Sequence, residues 1–220
     1  KNLLSTHSID GDKWISQVVH TVATEVSSIG GTTTSVLPAP GAEIRGAEAE
    51  LLWLVTDELT VGGSFSYTPN EYSESLLMSD PSRKTVPESL FPNFESLVED
   101  VKGNQLLHVP EGKLTAWGQY AVPLSGGSQL EFVGIYSWTD EVYYSPFERE
   151  EEKAEAYDRL DLRANWTSAD SNWTVSAFVN NVFDDIGNLQ ILRAGETEFF
   201  RHSSGTTVPR LYGLEVQYSY

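Results

Sequence analysis

The sequence predicts an all-β fold, an antiparallel transmembrane β-barrel segment. Three observations carry that prediction. Apolar and polar residues alternate over many short runs, short and long connections between those runs also alternate, and the chain closes on an alternating aromatic strand.

The 220 residues suffice for one large domain or a substantial piece of a larger one. Lys1 rather than Met opens the chain and no charged-then-apolar leader follows, so processing or truncation is expected upstream. A composition with 11% aromatic residues, 17 Gly and one Met suits strands and turns better than a helical bundle. No stretch approaches the roughly 18 apolar residues of a membrane-spanning helix. Barrel strands need only about 9–11 residues, with alternate ones apolar, so a mean hydropathy of -0.29 is no obstacle. The chain has no cysteine, which excludes disulfides and thiolate metal sites. A formal charge of -18 argues against nucleic-acid binding, which needs Lys and Arg to neutralise phosphate.

Read for a period of two, the chain divides into about eight strand candidates. The first, near 15–28, places Val18, His20, Val22, Thr24 and Val26 on one face. The second, near 42–55, aligns Ala47, Ala49, Leu51, Trp53 and Val55, with Glu48 and Glu50 opposite. After a tight turn at Thr56-Asp57-Glu58, residues 59–69 set Leu59, Val61, Gly63, Phe65 and Tyr67 against Thr60, Gly62, Ser64 and Ser66. A long, proline-marked segment over 70–110 shows little periodicity. Strands near 112–123 and 128–139 flank a Leu124–Ser128 turn, and Leu130, Phe132, Gly134, Tyr136 and Trp138 alternate in the second. A polar loop over 140–156 precedes Leu160, Leu162, Ala164 and Trp166, which alternate with Asp161, Arg163 and Asn165. Beyond the Ser168–Asn172 turn, Trp173, Val175, Ala177 and Val179 do the same. A loop with a possible strand of its own near 189–200 leads to the last strand, 209–220.

The short connections 56–58, 124–128 and 168–172 alternate with the long ones 29–41, 70–110, 140–156 and 184–208. A transmembrane barrel has this order, with short turns on the periplasmic side and long loops outside. With the chain end in the periplasm, every long connection falls outside. Trp53, Tyr67, Tyr120, Tyr136, Trp138, Trp166, Trp173 and Tyr220 lie near strand ends, where amphipathic rings form girdles at the headgroups.

On the closing strand, Tyr212, Leu214, Val216, Tyr218 and Tyr220 share one face. This ending resembles the signal by which the barrel assembly machinery recognises outer-membrane barrels for insertion. The segment Glu43–Glu50, followed by Trp53 and Thr56–Val61, resembles a mid-barrel hairpin of TonB-dependent receptors. The stretches Asn104–Pro110 and Tyr157–Arg163 are similar to parts of the same family. Asn180-Asn181-Val182-Phe183-Asp184 matches its penultimate-strand pattern, and Pro209-Arg210 fits the start of its last strand. The resemblance covers most of residues 40–220.

That resemblance implies a 22-stranded barrel with a plugged lumen, of which this chain supplies about eight to ten strands. Nothing in the chain resembles a plug or a TonB box, so residues 1–220 are expected to be the C-terminal barrel segment, with the plug missing. The implied function is TonB-coupled uptake of a scarce nutrient such as a ferric siderophore, with no cofactor and no transport by the segment alone. The implied partners are outer-membrane lipid and lipopolysaccharide, the TonB complex acting through the missing plug, and a small-molecule ligand.

No catalytic constellation emerges. His7, His20, His108 and His202 are scattered, and no Gly-x-Ser-x-Gly elbow is present. The acidic run over 148–155 lacks the spacing of a calcium loop and reads as a solvated outer loop. Asn165-Trp-Thr167 and Asn172-Trp-Thr174 match a glycosylation pattern by accident of composition. Loop aromatics at Tyr72, Phe91, Phe94, Tyr143, Tyr144 and Phe147 are candidates for ligand contact, or for anchoring the loops to one another. Two rival readings remain at this level: a complete small barrel acting as porin or adhesin, and a soluble β-sandwich binding module.

Overall fold

The computed structural model describes residues 20–26, 32–80, 98–193 and 201–220. Of the first expected strand, the described part is β1 (His20–Val26), which pairs antiparallel with β2 (Thr32–Pro38). The strand expected over 42–55 is broken at Arg45-Gly46 into β3 (Glu43–Ile44) and β4 (Ala47–Leu54). After β5 (Leu59–Tyr67), the long connection carries β6 (Asn70–Glu71), β7 (Leu77–Ser79) and β8 (Val98–Asp100). The hairpin of β9 (Gly112–Pro123) and β10 (Gln129–Thr139) follows. In the next loop β11 (Val142–Tyr143) and β12 (Lys153–Ala154) bracket a 3-10 turn at Glu150–Glu152. β13 (Tyr157–Thr167) and β14 (Trp173–Asn180) form the next hairpin. β15 (Asn188–Arg193) and β16 (His202–Thr206) lie in the last loop, ahead of β17 (Leu211–Tyr218).

A single seven-stranded sheet, in the order β17-β14-β13-β10-β9-β5-β4, carries the architecture. Every neighbouring pair is antiparallel. Neighbours in space are successive long strands in sequence, the meander of an up-and-down barrel wall. Among the described residues no helix is long and apolar enough to cross a membrane.

The short turns are closed by their own side chains. Thr56 Oγ1 accepts hydrogen bonds from the Glu58 and Leu59 amides at 3.2 and 3.1 Å. Gly126 and Gly127 stand at φ 92° and 89°, the left-handed region where a side chain is strained. Ser168 Oγ accepts from the Trp173 amide at 3.0 Å and donates to Asp170 at 2.6 Å. Local satisfaction of the backbone keeps this end of the sheet compact.

Register divides the sheet into two chemically distinct faces. Trp53, Val61, Gly118, Gly134, Leu162, Val179 and Tyr212 form one row, each paired with the next across all seven strands. A row on the other face runs Glu50, Ser64, Thr115, Ser137 and Arg159. The apolar face is not a dry core. Phe65 is 43% exposed, Leu162 45% and Leu214 77%. A sandwich would bury these side chains against a second sheet about 10 Å away. The soluble-sandwich reading is therefore set aside.

Aromatic rings mark both edges of the apolar face. Trp53, Tyr120, Trp166, Trp173 and Tyr218 lie toward the short-turn end, and Tyr67, Trp138 and Tyr212 toward the long-loop end. The Trp173 and Tyr218 rings pack at 4.8 Å.

Burial lies elsewhere. All the buried hydrophobic residues among those described belong to the long-loop end: Ala42, Tyr72, Met78, Val101, Leu106, Val142, Phe147, Ala154 and Ile191. The loops, and not the sheet, hold the dry core.

Candidate functional site: the polar wall and its loop cap

The polar face is cross-linked strand to strand. Gln119 Nε2 donates to Glu131 Oε1 at 2.6 Å, and Asn165 Nδ2 donates to Glu131 Oε2 at 2.8 Å. Arg163 Nε donates to Asn165 Oδ1 at 2.9 Å, and its Nη2 reaches over β14 to Glu215 on β17. The guanidinium also lies 5.9 Å from the Phe178 ring. Alternation places these side chains together, because a period of two sends every second residue to the same face. Glu48, Glu50, Asp161 and Arg163 all fall on this face, as the alternation predicts.

The Asn180–Asp185 run has a structural use at the rim above. Asn181 adopts φ 55° and its amide donates to Asp161 Oδ1 at 2.7 Å. Its Nδ2 donates to the Asp185 and Val208 carbonyls at 2.8 and 3.1 Å. Asp184 accepts from the Arg210 amide at 2.8 Å and pairs with its guanidinium at 3.3 Å. Asp185 accepts from the Asp158 amide at 3.1 Å. The motif thus ties the top of β14 to β13 and to the start of β17.

The loops above the wall are built into one another. Tyr72, Met78, Val101 and Leu106 of loop 68–111 share an apolar cluster with Phe147 of loop 140–156 and with Ala42. A smaller cluster joins Val142 and Ala154 to Ile191 of the last loop, with Tyr144 packed against it. Arg149 pairs with Asp80 at 3.1 Å and with Glu99 at 2.5 Å, and the Glu99 hydrogen bond does most to hold the guanidinium protonated. Within the acidic run, Lys153 Nζ lies 3.1 Å from Glu150, 3.4 Å from Glu155 and 3.5 Å from Glu141. Glu152 is buried and accepts from Ser145 Oγ at 2.5 Å. The run therefore carries its own counter-ion, and among the described residues no group of three or more metal-ligating side chains gathers.

A cleft of about 560 Å³ opens between these loops, lined by Glu43, Glu71, Glu111, Asp140, Glu141 and Glu148, with Arg45 and Tyr143. Burial, with the nearby Glu141 and Glu148 charges, pushes the Tyr143 phenol above its usual range. A cleft of this charge favours cationic or donor-rich groups over anions.

The candidate ligand-contacting rings separate into distinct roles. Tyr72 has no exposed surface and Phe147 is 8% exposed, so both anchor the loops. Tyr143 lines the cleft. Tyr144 packs on His108 with centroids 4.9 Å apart and donates to the Asn188 carbonyl at 3.4 Å. Phe91 and Phe94 lie outside the described residues. Tyr212, Leu214, Val216 and Tyr218 share the apolar face of β17, and Tyr220 lies beyond its end, fully exposed. Sequence reasoning missed Arg149, although a cation inside a run of glutamates signals an internal ion pair.

A one-layer antiparallel sheet with an apolar face, a cross-linked polar face and every long loop at one end defines the wall of a membrane β-barrel. The chain belongs to the TonB-dependent receptor family, whose β-barrel model (TonB dependent receptor-like, beta-barrel) matches residues 12–182. Its place is accordingly the bacterial outer membrane. The fold is similar to that of the ferric yersiniabactin uptake receptor FyuA from Yersinia pestis, at 15% identity and a TM-score of 0.63, over 86% of this chain and 26% of that one. It is also similar to the siderophore receptor PiuA from Acinetobacter baumannii, at 18% identity and a TM-score of 0.61, over 94% and 25% of the two chains. The copper transporter OprC matches at 14% identity and a TM-score of 0.56, over 93% and 27%. The chain thus spans about a quarter of the length of these structures. No curated protein sequence matches it.

Proposed function

We propose that the chain is the C-terminal stretch of barrel wall in an outer-membrane receptor for TonB-coupled uptake of a scarce nutrient such as a ferric siderophore. The observation that carries this reading is the gathering of every long loop, with a shared core, at one end of a two-faced sheet. That arrangement sets a fixed mouth above a polar lumen. On this reading a plug outside these residues meets the ligand and the TonB complex, and the wall alone does not transport. Tyr143 is the loop ring best placed to touch a ligand, because it lines the cleft. The aromatic ending from Tyr212 to Tyr220 serves recognition by the barrel assembly machinery, and the apolar face meets lipid and lipopolysaccharide. Siderophore cargo is supported by the solved relatives, while the copper transporter among them shows that a similar wall serves other cargo.

The test is uptake of radiolabelled iron, presented as hydroxamate, catecholate and phenolate complexes, in cells with and without the intact protein. Loss of one complex's uptake on deletion, and equally on loss of TonB, is the expected result. Uptake of every complex unchanged by deletion, or independent of TonB, overturns the reading.

A further inference from the structure

We propose that loops 68–111 and 140–156 form one cap latched by the Arg149 guanidinium, so that the outer end of the wall opens by moving the cap as a unit. The inference rests on loop geometry and holds whatever the ligand.

The two loops are stitched by three hydrogen bonds. The His108 amide donates to the Tyr143 carbonyl at 2.9 Å, Asn104 Nδ2 to the Pro146 carbonyl at 2.8 Å, and the Gln105 amide to Glu148 Oε1 at 2.6 Å. Phe147 enters the first loop's apolar cluster beside Tyr72 and Val101, which have no exposed surface. Such contacts hold surfaces together but are individually modest.

Arg149 differs in kind. From the second loop its Nη2 bonds both Asp80 and Glu99, which stand beside and within the paired β7 and β8. The Asp80 side chain is 1% exposed. Removing a cation from a carboxylate so deeply covered is far more damaging than removing a neutral hydrogen bond, because the remaining charge stays desolvated. The guanidinium also lies 5.9 Å from the Phe147 ring, so the ion pairs and the apolar cluster are one assembly. Closure strength is concentrated in one residue.

The test is hydrogen exchange on the intact protein, comparing the parent with Arg149→Met and Arg149→Lys. In Arg149→Met, the amides of Gln105 and His108 and those of 143–148 accelerate together, by about ten-fold or more. Arg149→Lys, which keeps the charge, restores most of the protection, and exchange in the seven-stranded sheet stays unchanged in both. Acceleration confined to 143–150, with Gln105 and His108 still protected, shows independent loops and overturns the proposal. So does no acceleration at all. If Arg149→Met does not assemble, Glu99→Gln removes the more exposed arm of the latch and gives a smaller joint acceleration, whose absence overturns the proposal equally.

Discussion

The Trp117 ring lies over Gly62 on the polar face, 2.6 Å from where a side-chain carbon at position 62 would stand. The two residues are registered partners on β5 and β9, and the indole covers backbone that the glycine leaves bare. Phe178 covers Gly213 in the same way, at 2.7 Å. A ring over a cross-strand glycine pins register, because no other pairing gives the ring a flat seat.

Gly62→Val is therefore expected to displace the indole and to destabilise the wall by about 1–3 kcal/mol. The check is the temperature at which the heat-modifiable gel form is lost. That temperature falls in Gly62→Val and recovers in part when Trp117→Ala is added.

Leu162 and Thr115 sit near the middle of adjacent parts of the wall, on opposite faces. Arginine at position 162 places a charge in hydrocarbon, at a cost of about 2–4 kcal/mol near the midplane. Arginine at 115 meets the polar lumen instead and costs little. Urea-unfolding midpoints in lipid vesicles separate the two, with Leu162→Arg clearly lower and Thr115→Arg near the parent.

Acid is expected to loosen the loops in two steps. Burial pushes the His108 imidazole below its usual 6.5, so its protonation is disfavoured in the folded cap. Stability from that source is complete above about pH 6.5 and falls as pH drops toward the depressed value. The Ser75 hydroxyl, then the Lys102 and Leu76 amides, pull the Asp100 carboxyl below 3.8. Its contribution is complete above that value and is lost only as pH falls through the depressed one. Limited proteolysis of the loops against pH measures both steps. His108→Asn, which suits the left-handed backbone there, removes the upper step, and Asp100→Asn removes the lower.

The wall was legible in the sequence because alternation is a local signal. From Leu160 to Trp166 each side chain announces its face, and the register agrees. The loops were not legible, because their order arises from contacts distant in sequence. β7 and β8 are three residues each and exist by pairing across a long insertion. Tyr72 reads from sequence as an exposed loop ring, yet Phe147 and Val101 close over it. Arg149 and Asp80 lie 69 residues apart, beyond the reach of any periodicity. The Asn180–Asp185 run matched a pattern, but its use in tying β14 to β17 appeared only in three dimensions.

A cysteine scan of positions 160–166 in the intact protein, with a spin label at each site, tests the two-faced wall most directly. Collision with oxygen dissolved in the bilayer should peak at 160, 162, 164 and 166. Collision with a water-soluble nickel chelate should peak at 161, 163 and 165. Seven labels shielded alike from both reagents, as in a packed protein interior, would contradict a sheet that parts hydrocarbon from water.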